Sequence, residues 1–307
     1  MKRDTIYAWK ADALKARLVI WSLKLLACLS LKWAQGLGAF IGRVLWLGDS
    51  RLTRVTIENI QLCYPELSKE EQNALIKASL AETGKLFAEF GVMWEWPTEK
   101  TLSLIRSVQG KELLDSIFEK GKGAIVLAPH HGNWEMVGLY LSTLRPMAAL
   151  YKPPKIKALE DYMSAVRGRH GSELVPTNKR GVVRLFSILS QQGMVGILPD
   201  QVPGGTGGMF APFMGIEANT MKLVSRLIEK TGCEVVCLCA IRRPHGEGFD
   251  MVFTEADPAI YSAELATSVA ALNKTIEAAI ASHPAQYQWE YKRFKGAEHN
   301  GRRVYKS

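Results

Sequence analysis

Several features that would announce a chemistry are scarce or missing. The five cysteines are odd in number. Cys237 and Cys239 stand two apart in the β-like run Cys233-Glu-Val-Val-Cys-Leu-Cys-Ala240, where they read as small core hydrophobes. Their spacing builds neither a disulfide framework nor a zinc site, and reduced thiols favour a cytoplasmic face. The Gly-rich stretch 203–215 lacks the Lys-Ser/Thr ending of a phosphate-binding loop, which argues against a nucleotide cradle. There is no Gly-x-Ser-x-Gly elbow for a serine hydrolase, no internal repeat and no low-complexity segment. A cleavable signal peptide is not expected. The charged segment ahead of the first apolar run is long and carries Asp4 and Asp12, and no small-residue cleavage site is followed by a polar start.

What is present is length, apolar content and positive charge. With 307 residues and 47% hydrophobic side chains, the chain can bury a large α/β core. The formal charge is +9 and unevenly spread. Residues 1–56 hold ten Lys/Arg against three Asp/Glu, and residues 292–307 hold six against Glu298 alone. Anionic partners are therefore expected near the ends. Nucleic acid fits poorly, because the basic residues near the N-terminus are interleaved with apolar ones. The run Leu18 to Leu31 has Lys24 as its single charge, and Trp33, Phe40 and Trp46 follow. It is shorter than the roughly twenty apolar residues of a free-standing transmembrane helix. A membrane-associated helix, embedded or shallowly spanning with Lys24 and Lys32 snorkelling to phosphates, fits better than a soluble core helix. The chain thus divides into an N-terminal membrane-associating helical segment, 1–50, and an α/β domain, 51–307.

Arg51 to Trp96 reads as helical, with a turn at Pro65 and a capping box from Ser68 to Glu71. From Gly121 strands and helices alternate: strand Ala124–Ala128, helix Trp134–Ser142, strand Met147–Tyr151, helix Lys157–Gly168, helix Val182–Gln191 and strand Met194–Leu198. A helix Thr220–Lys230, strands near Glu234–Ile241 and Phe249–Thr254, and a helix from about Ala263 to Ala281 complete the pattern. Such alternation indicates a mixed, partly parallel sheet flanked by helices. Ligands of these sheets lie outside the carboxyl ends of the strands. His130, Tyr151-Lys152-Pro153 and Pro199-Asp200-Gln201 then fall on one rim. The apolar, Gly-rich loop 203–215 reads as a lid over something apolar.

The densest chemistry lies in Pro129-His130-His131-Gly-Asn-Trp-Glu135. It places imidazoles at the end of a buried strand and a carboxylate in the first turn of the following helix. A carboxylate on Nδ1 fixes a histidine's tautomer and raises its basicity, as a general base requires. Spacing leaves the base open: His131 and Glu135 could share a helical face, whereas His130 reaches Glu135 across the turn.

This block, together with Asn59-Ile-Gln-Leu-Cys-Tyr-Pro-Glu-Leu-Ser68, Tyr151-Lys-Pro153, Arg167-Gly-Arg169, Leu198-Pro-Asp-Gln201, Phe210-Ala-Pro-Phe213 leading to Thr220, and Trp289-Glu-Tyr-Lys-Arg-Phe-Lys295, resembles the lipid A biosynthesis lauroyl/myristoyl acyltransferases over most of the chain. The resemblance implies a glycerol-phosphate-acyltransferase-like fold. It also implies a base at His130 oriented by Glu135, with His131 in the variable position. The family's functional arginine falls at Arg167, with Arg169 next, and its aspartate at Asp200. Gln201 stands where many relatives carry a histidine, a departure from the family's pattern.

The implied reaction moves an acyl chain from an acyl carrier protein thioester to a hydroxyl of a 3-hydroxyacyl chain on a Kdo-bearing lipid A precursor, at the cytoplasmic side of the inner membrane. A thiolate leaves readily, so neither metal, cofactor nor covalent serine is needed. Oxyanion donors are expected in the backbone amides of 131–133 or an arginine. Arg167, Arg169 and Lys152 suit glycolipid phosphates and carboxylates. Rival readings are another membrane acceptor such as a phosphatidylinositol mannoside or lysophospholipid, a coenzyme A donor, thioester hydrolysis, and a non-catalytic lipid-binding relative.

Overall fold

The computed structural model describes residues 3–169 and 171–305, with side chains from Asp12 onward. Met1, Lys2, Lys306 and Ser307, counted above with the basic ends and the N-terminal segment, lie outside the described residues.

Four helices come first: α1 Arg3–Ala27, α2 Leu31–Trp46, α3 Arg51–Cys63 and α4 Lys69–Glu95. The apolar N-terminus is two helices, because Ser30 accepts a hydrogen bond from the Trp33 amide and starts a new one. The expected capping box closes α4: Ser68 Oγ accepts from the Glu71 amide at 3.2 Å, and Glu71 Oε2 accepts from the Ser68 amide at 2.8 Å. Helices α2 and α4 pack almost backbone to backbone. A Cβ added at Gly38 would stand 2.3 Å from the Gly84 carbonyl oxygen, so only glycine fits there. No helix among the described residues is long and apolar enough to cross a membrane.

The rest alternates: α5 Thr98–Leu102, β1 Ile105–Gln109, α6 Lys111–Glu119, β2 Ala124–Leu127, α7 Trp134–Leu144, β3 Met147–Tyr151, α8 Lys157–Gly168, β4 Glu173–Pro176, α9 Lys179–Ser190 and β5 Met194–Ile197. It continues through β6 Gly208–Phe213, β7 Ile216–Met221, α10 Leu223–Thr231, β8 Glu234–Arg242, β9 Phe249–Glu255 and α11 Leu265–Ala281. Seven strands form one sheet in the order β1-β9-β8-β2-β5-β3-β4, parallel except for the antiparallel β8–β9 pair. The mixed, partly parallel sheet flanked by helices is therefore as the alternation predicts. Its central strands β2 and β5 are buried at every position, as strands covered on both faces must be.

Three stretches differ from the sequence reading. Loop 203–215 is not all loop: its second half pairs as β6 with β7 in a separate hairpin. That hairpin takes Thr220 and Met221 from the expected helix, which starts instead at Leu223. Strand β4 and the β1–α6 unit went unread, since β4 is four residues ending in proline and β1 is an edge strand with one bulge.

Candidate active site

The site follows from one register. Strands β2 and β5 run parallel with Leu127 opposite Ile197, so residues three past each pairing partner, His130 and Asp200, emerge side by side at the carboxyl edge. They are bonded twice. His130 Nδ1 lies 2.8 Å from Asp200 Oδ1, and the His130 amide donates to Oδ2 at 2.8 Å. Asp200 is 2% exposed. Burial alone would raise its pKa, but the charge and two hydrogen bonds of His130, with the charge of Arg293, hold it below the ordinary carboxylate range. When the imidazole is neutral, a carboxylate there holds its proton on Nδ1 and leaves Nε2 with its lone pair. Trp134 stands edge-on to the imidazole at 4.7 Å, and the Gln201 amide meets Nε2 at 3.1 Å.

The carboxylate on the histidine is thus Asp200, and the expected contact with Glu135 is corrected. Glu135 follows the N-cap Asn133 in the first turn of α7, and its oxygens are taken by other donors. Trp94 Nε1 reaches Oε2 at 3.0 Å, and Arg167 on α8 grips both oxygens through Nε and Nη2. Burial pulls the Arg167 pKa down, but the Glu135 charge and hydrogen bond push it above its ordinary value. Sequence separation suggested the short-range partner; parallel pairing supplied the one 70 residues away.

His131 points the other way. It is fully buried, its Nε2 meets the His283 carbonyl at 3.0 Å, and burial drives its pKa down to about 4. Arg169 turns to backbone, reaching the carbonyls of Val166 and Met93. Lys152 is exposed past the end of β3. The amides expected to serve an oxyanion are already engaged: His131 to Pro129, Gly132 to Gln286 and Asn133 to Ala240. Gly132 takes φ +62°, with its Cβ position 2.0 Å from the Ala240 oxygen, so the turn sits directly on β8.

The sequence reading missed a second layer. The segment after α11 wraps the turn, with the Gln288 amide donating to the His130 carbonyl at 3.0 Å. Beneath it, buried Glu89 on α4 accepts from Asn133, Gln35 and Arg242, and Arg242 also binds Glu82 and the Gly132 carbonyl. The motif residues Asn59 and Arg293 are likewise structural. Asn59 donates to the carbonyls of Trp289 and Tyr291, and Arg293 reaches Asn219, Thr220 and Asn273. The closing motif was the available signal, but no spacing tied Gln288 or Glu290 to His130. No group of three or more His, Cys, Asp or Glu side chains among the described residues could hold a metal.

A buried His–Asp pair at a sheet edge, its second ring nitrogen met only by a neutral amide, is equipped to deprotonate a hydroxyl. Comparison with known proteins gives that chemistry a class. Residues 5–296 match the model of the bacterial lipid A biosynthesis acyltransferases. The chain is 28% identical over 264 residues to the lipid A biosynthesis palmitoleoyltransferase of Escherichia coli (strain K12), covering 84% of each chain. It is 25% identical over 265 residues to the lauroyltransferase of the same organism, covering 84% of each, and 25% identical over 261 residues to its myristoyltransferase, covering 84% of this chain and 79% of that one. With its sheet-edge His–Asp pair inside a match that spans nearly its whole length, this chain belongs to the bacterial lipid A biosynthesis acyltransferase family and is an acyltransferase.

Proposed function

We propose that the protein transfers a fatty acyl chain from an acyl carrier protein thioester to a hydroxyl of a 3-hydroxyacyl chain on a Kdo-bearing lipid A precursor. The observation that supports it most is the His130–Asp200 pair. Asp200 fixes the Nδ1–H tautomer and stabilises the imidazolium that forms. His130 Nε2 takes the proton of the acceptor hydroxyl, and the alkoxide oxygen attacks the thioester carbonyl carbon. The tetrahedral intermediate collapses with cleavage of the C–S bond, and the thiolate leaves with the proton from the imidazolium. Arg167, fixed in orientation by Glu135, serves acceptor phosphate, and exposed Lys152 adds a cation to the same rim. Arg169, held on backbone carbonyls, shapes the end of α8 beside them. The net charge of +9 suits an acidic carrier protein.

The acceptor is a membrane lipid, and the N-terminal helices have a face for one. Leu14, Leu18, Trp21 and Leu25 form an exposed stripe on α1. Trp33, Leu37, Phe40 and Val44 do so on α2, and Leu47, at its C-cap, is 82% exposed. Apolar surface of that extent is unusual on a free monomer. Both helices lie in the interface of the inner membrane's cytoplasmic leaflet with Lys24 and Lys32 at the headgroups, neither one spanning it.

The test is mass spectrometry of a purified Kdo-lipid A precursor incubated with the protein and acyl carrier proteins charged with different chains. A mass gain equal to one acyl group, absent with His130→Ala, supports the reading. Acylation of a lysophospholipid in preference to the glycolipid overturns it.

A further inference from the structure

We propose that Gln201 caps the base: its side-chain amide occupies the Nε2 lone pair of His130 until an acceptor hydroxyl replaces it, which restrains loss of the acyl group to water. The inference rests on the acyl-transfer reading above. With the proton of Nδ1 committed to Asp200, Nε2 is the acceptor in its 3.1 Å contact with Gln201 Nε2, and a hydroxyl to be deprotonated needs that same position.

The cap is held from both ends. At its base, Asp200 is paired with His130, and the Val202 amide donates to the Tyr291 hydroxyl at 2.9 Å. At its tip, the amide also reaches Gln288 Oε1 at a long 3.4 Å. Gln288 is itself fastened to the turn by its amide, which donates to the His130 carbonyl. Nearby, the Glu290 carboxylate accepts from Thr83 on α4 at 3.1 Å. Burial pushes the Glu290 pKa up against the opposing pull of its own backbone amide, Thr83, Gln288 and His130. Cap and anchor therefore come from separate parts of the chain and meet over one nitrogen.

Without an acceptor, water deprotonated by Nε2 would attack the thioester carbonyl carbon. A C–O bond would form and the C–S bond break, with the imidazolium proton going to the thiolate to give free acid and thiol. An occupied lone pair slows that loss. A glycolipid bound by its other contacts brings its hydroxyl to Nε2 and displaces a single neutral hydrogen bond, one worth roughly two- to tenfold in an equilibrium.

Two measurements on the full-length protein decide it. The first labels His130 with diethyl pyrocarbonate in the absence of substrate, read by peptide mass spectrometry. Gln201→Ala is expected to speed labelling roughly two- to tenfold, and Gln288→Ala, which removes only the anchor, to speed it less. The second compares free fatty acid with acylated glycolipid formed from acyl carrier protein thioester; Gln201→Ala raises that ratio by a similar factor. Unchanged labelling in both variants overturns the cap, even where His130→Ala still abolishes transfer. Equal loss of hydrolysis and transfer in Gln201→Ala overturns it too, since the amide would then be an oxyanion donor. Full transfer in His130→Ala instead sinks the acyl-transfer reading, and the labelling result still judges the cap.

Discussion

Two buried charged clusters flank the turn at 129–135, and they are built on opposite principles. Above it, Asp200 binds His130 by ring and backbone but leaves Nε2 of that ring covered by one neutral amide. Below it, Glu89 and Arg242 exhaust one another: Glu89 serves three donors, while Arg242 serves two carboxylates and a carbonyl. Burial lowers the Arg242 pKa, but Glu89 and Glu82 more than reverse it. The first cluster keeps one atom available for chemistry. The second keeps none and holds the turn still, as a preorganised site requires of its support.

The sharpest way to break that comparison is to swap effects between the clusters. His130→Ala should lower transfer by ~10²–10⁴-fold, the usual contribution of a general base, and Asp200→Asn should fall on the same side by presenting the wrong tautomer. His131→Ala should keep most of the specific activity of its folded fraction. Transfer assays on purified variants check this, and equal losses at the two histidines would dissolve the distinction.

Glu89→Gln tests the lower cluster. It leaves Arg242 buried with only Glu82 opposite, and removing one partner of a buried pair costs ~3–5 kcal/mol. Urea denaturation should show that loss, while the protein that remains folded keeps its transfer rate. A stable but inactive Glu89→Gln would move the cluster into the catalytic apparatus.

His131 sharpens the comparison through pH. Its folded pKa of about 4 lies below the ordinary histidine value near 6.5, so the unfolded chain binds the extra proton between them. Its contribution is fully present above pH ~6.5 and is lost as pH falls toward 4, roughly 3 kcal/mol in all. His131→Gln, which retains a donor for the His283 carbonyl, should flatten that part of the stability curve. An unchanged acid slope would mean that another group carries it.

How much of this was legible depends on range. Strand β3 and helix α8 match their sequence bounds, and the Ser68 capping box forms as written, because periodicity and caps are local properties. His130, Asp200 and Tyr151 fall on one rim as strand alternation implies. The partner of His130 was not legible, since it depends on which strands are neighbours: β2 lies beside β5 and not β3. The same holds for Gln288 and Glu89, which arrive from the far end of the chain and from α4.

The Glu135–Arg167 pair lies between the two clusters in kind and supplies the smallest effect. Its carboxylate is 8% exposed and its guanidinium 29% exposed, so it is neither sealed like Arg242 nor open like Lys152. If Glu135 acts by orienting Arg167, Glu135→Gln should reduce transfer by less than tenfold, well short of Asp200→Asn. Arg167→Ala should chiefly raise apparent KM for the glycolipid, and more lipid should restore much of its rate. Arg167→Lys should resemble Arg167→Ala, because an ammonium cannot reproduce the two-point grip on Glu135. The double variant Glu135→Gln/Arg167→Ala should lose no more than Arg167→Ala alone, since the carboxylate then has nothing left to orient. A kcat loss in Glu135→Gln as large as that of Asp200→Asn, additive with Arg167→Ala, would return Glu135 to the base itself.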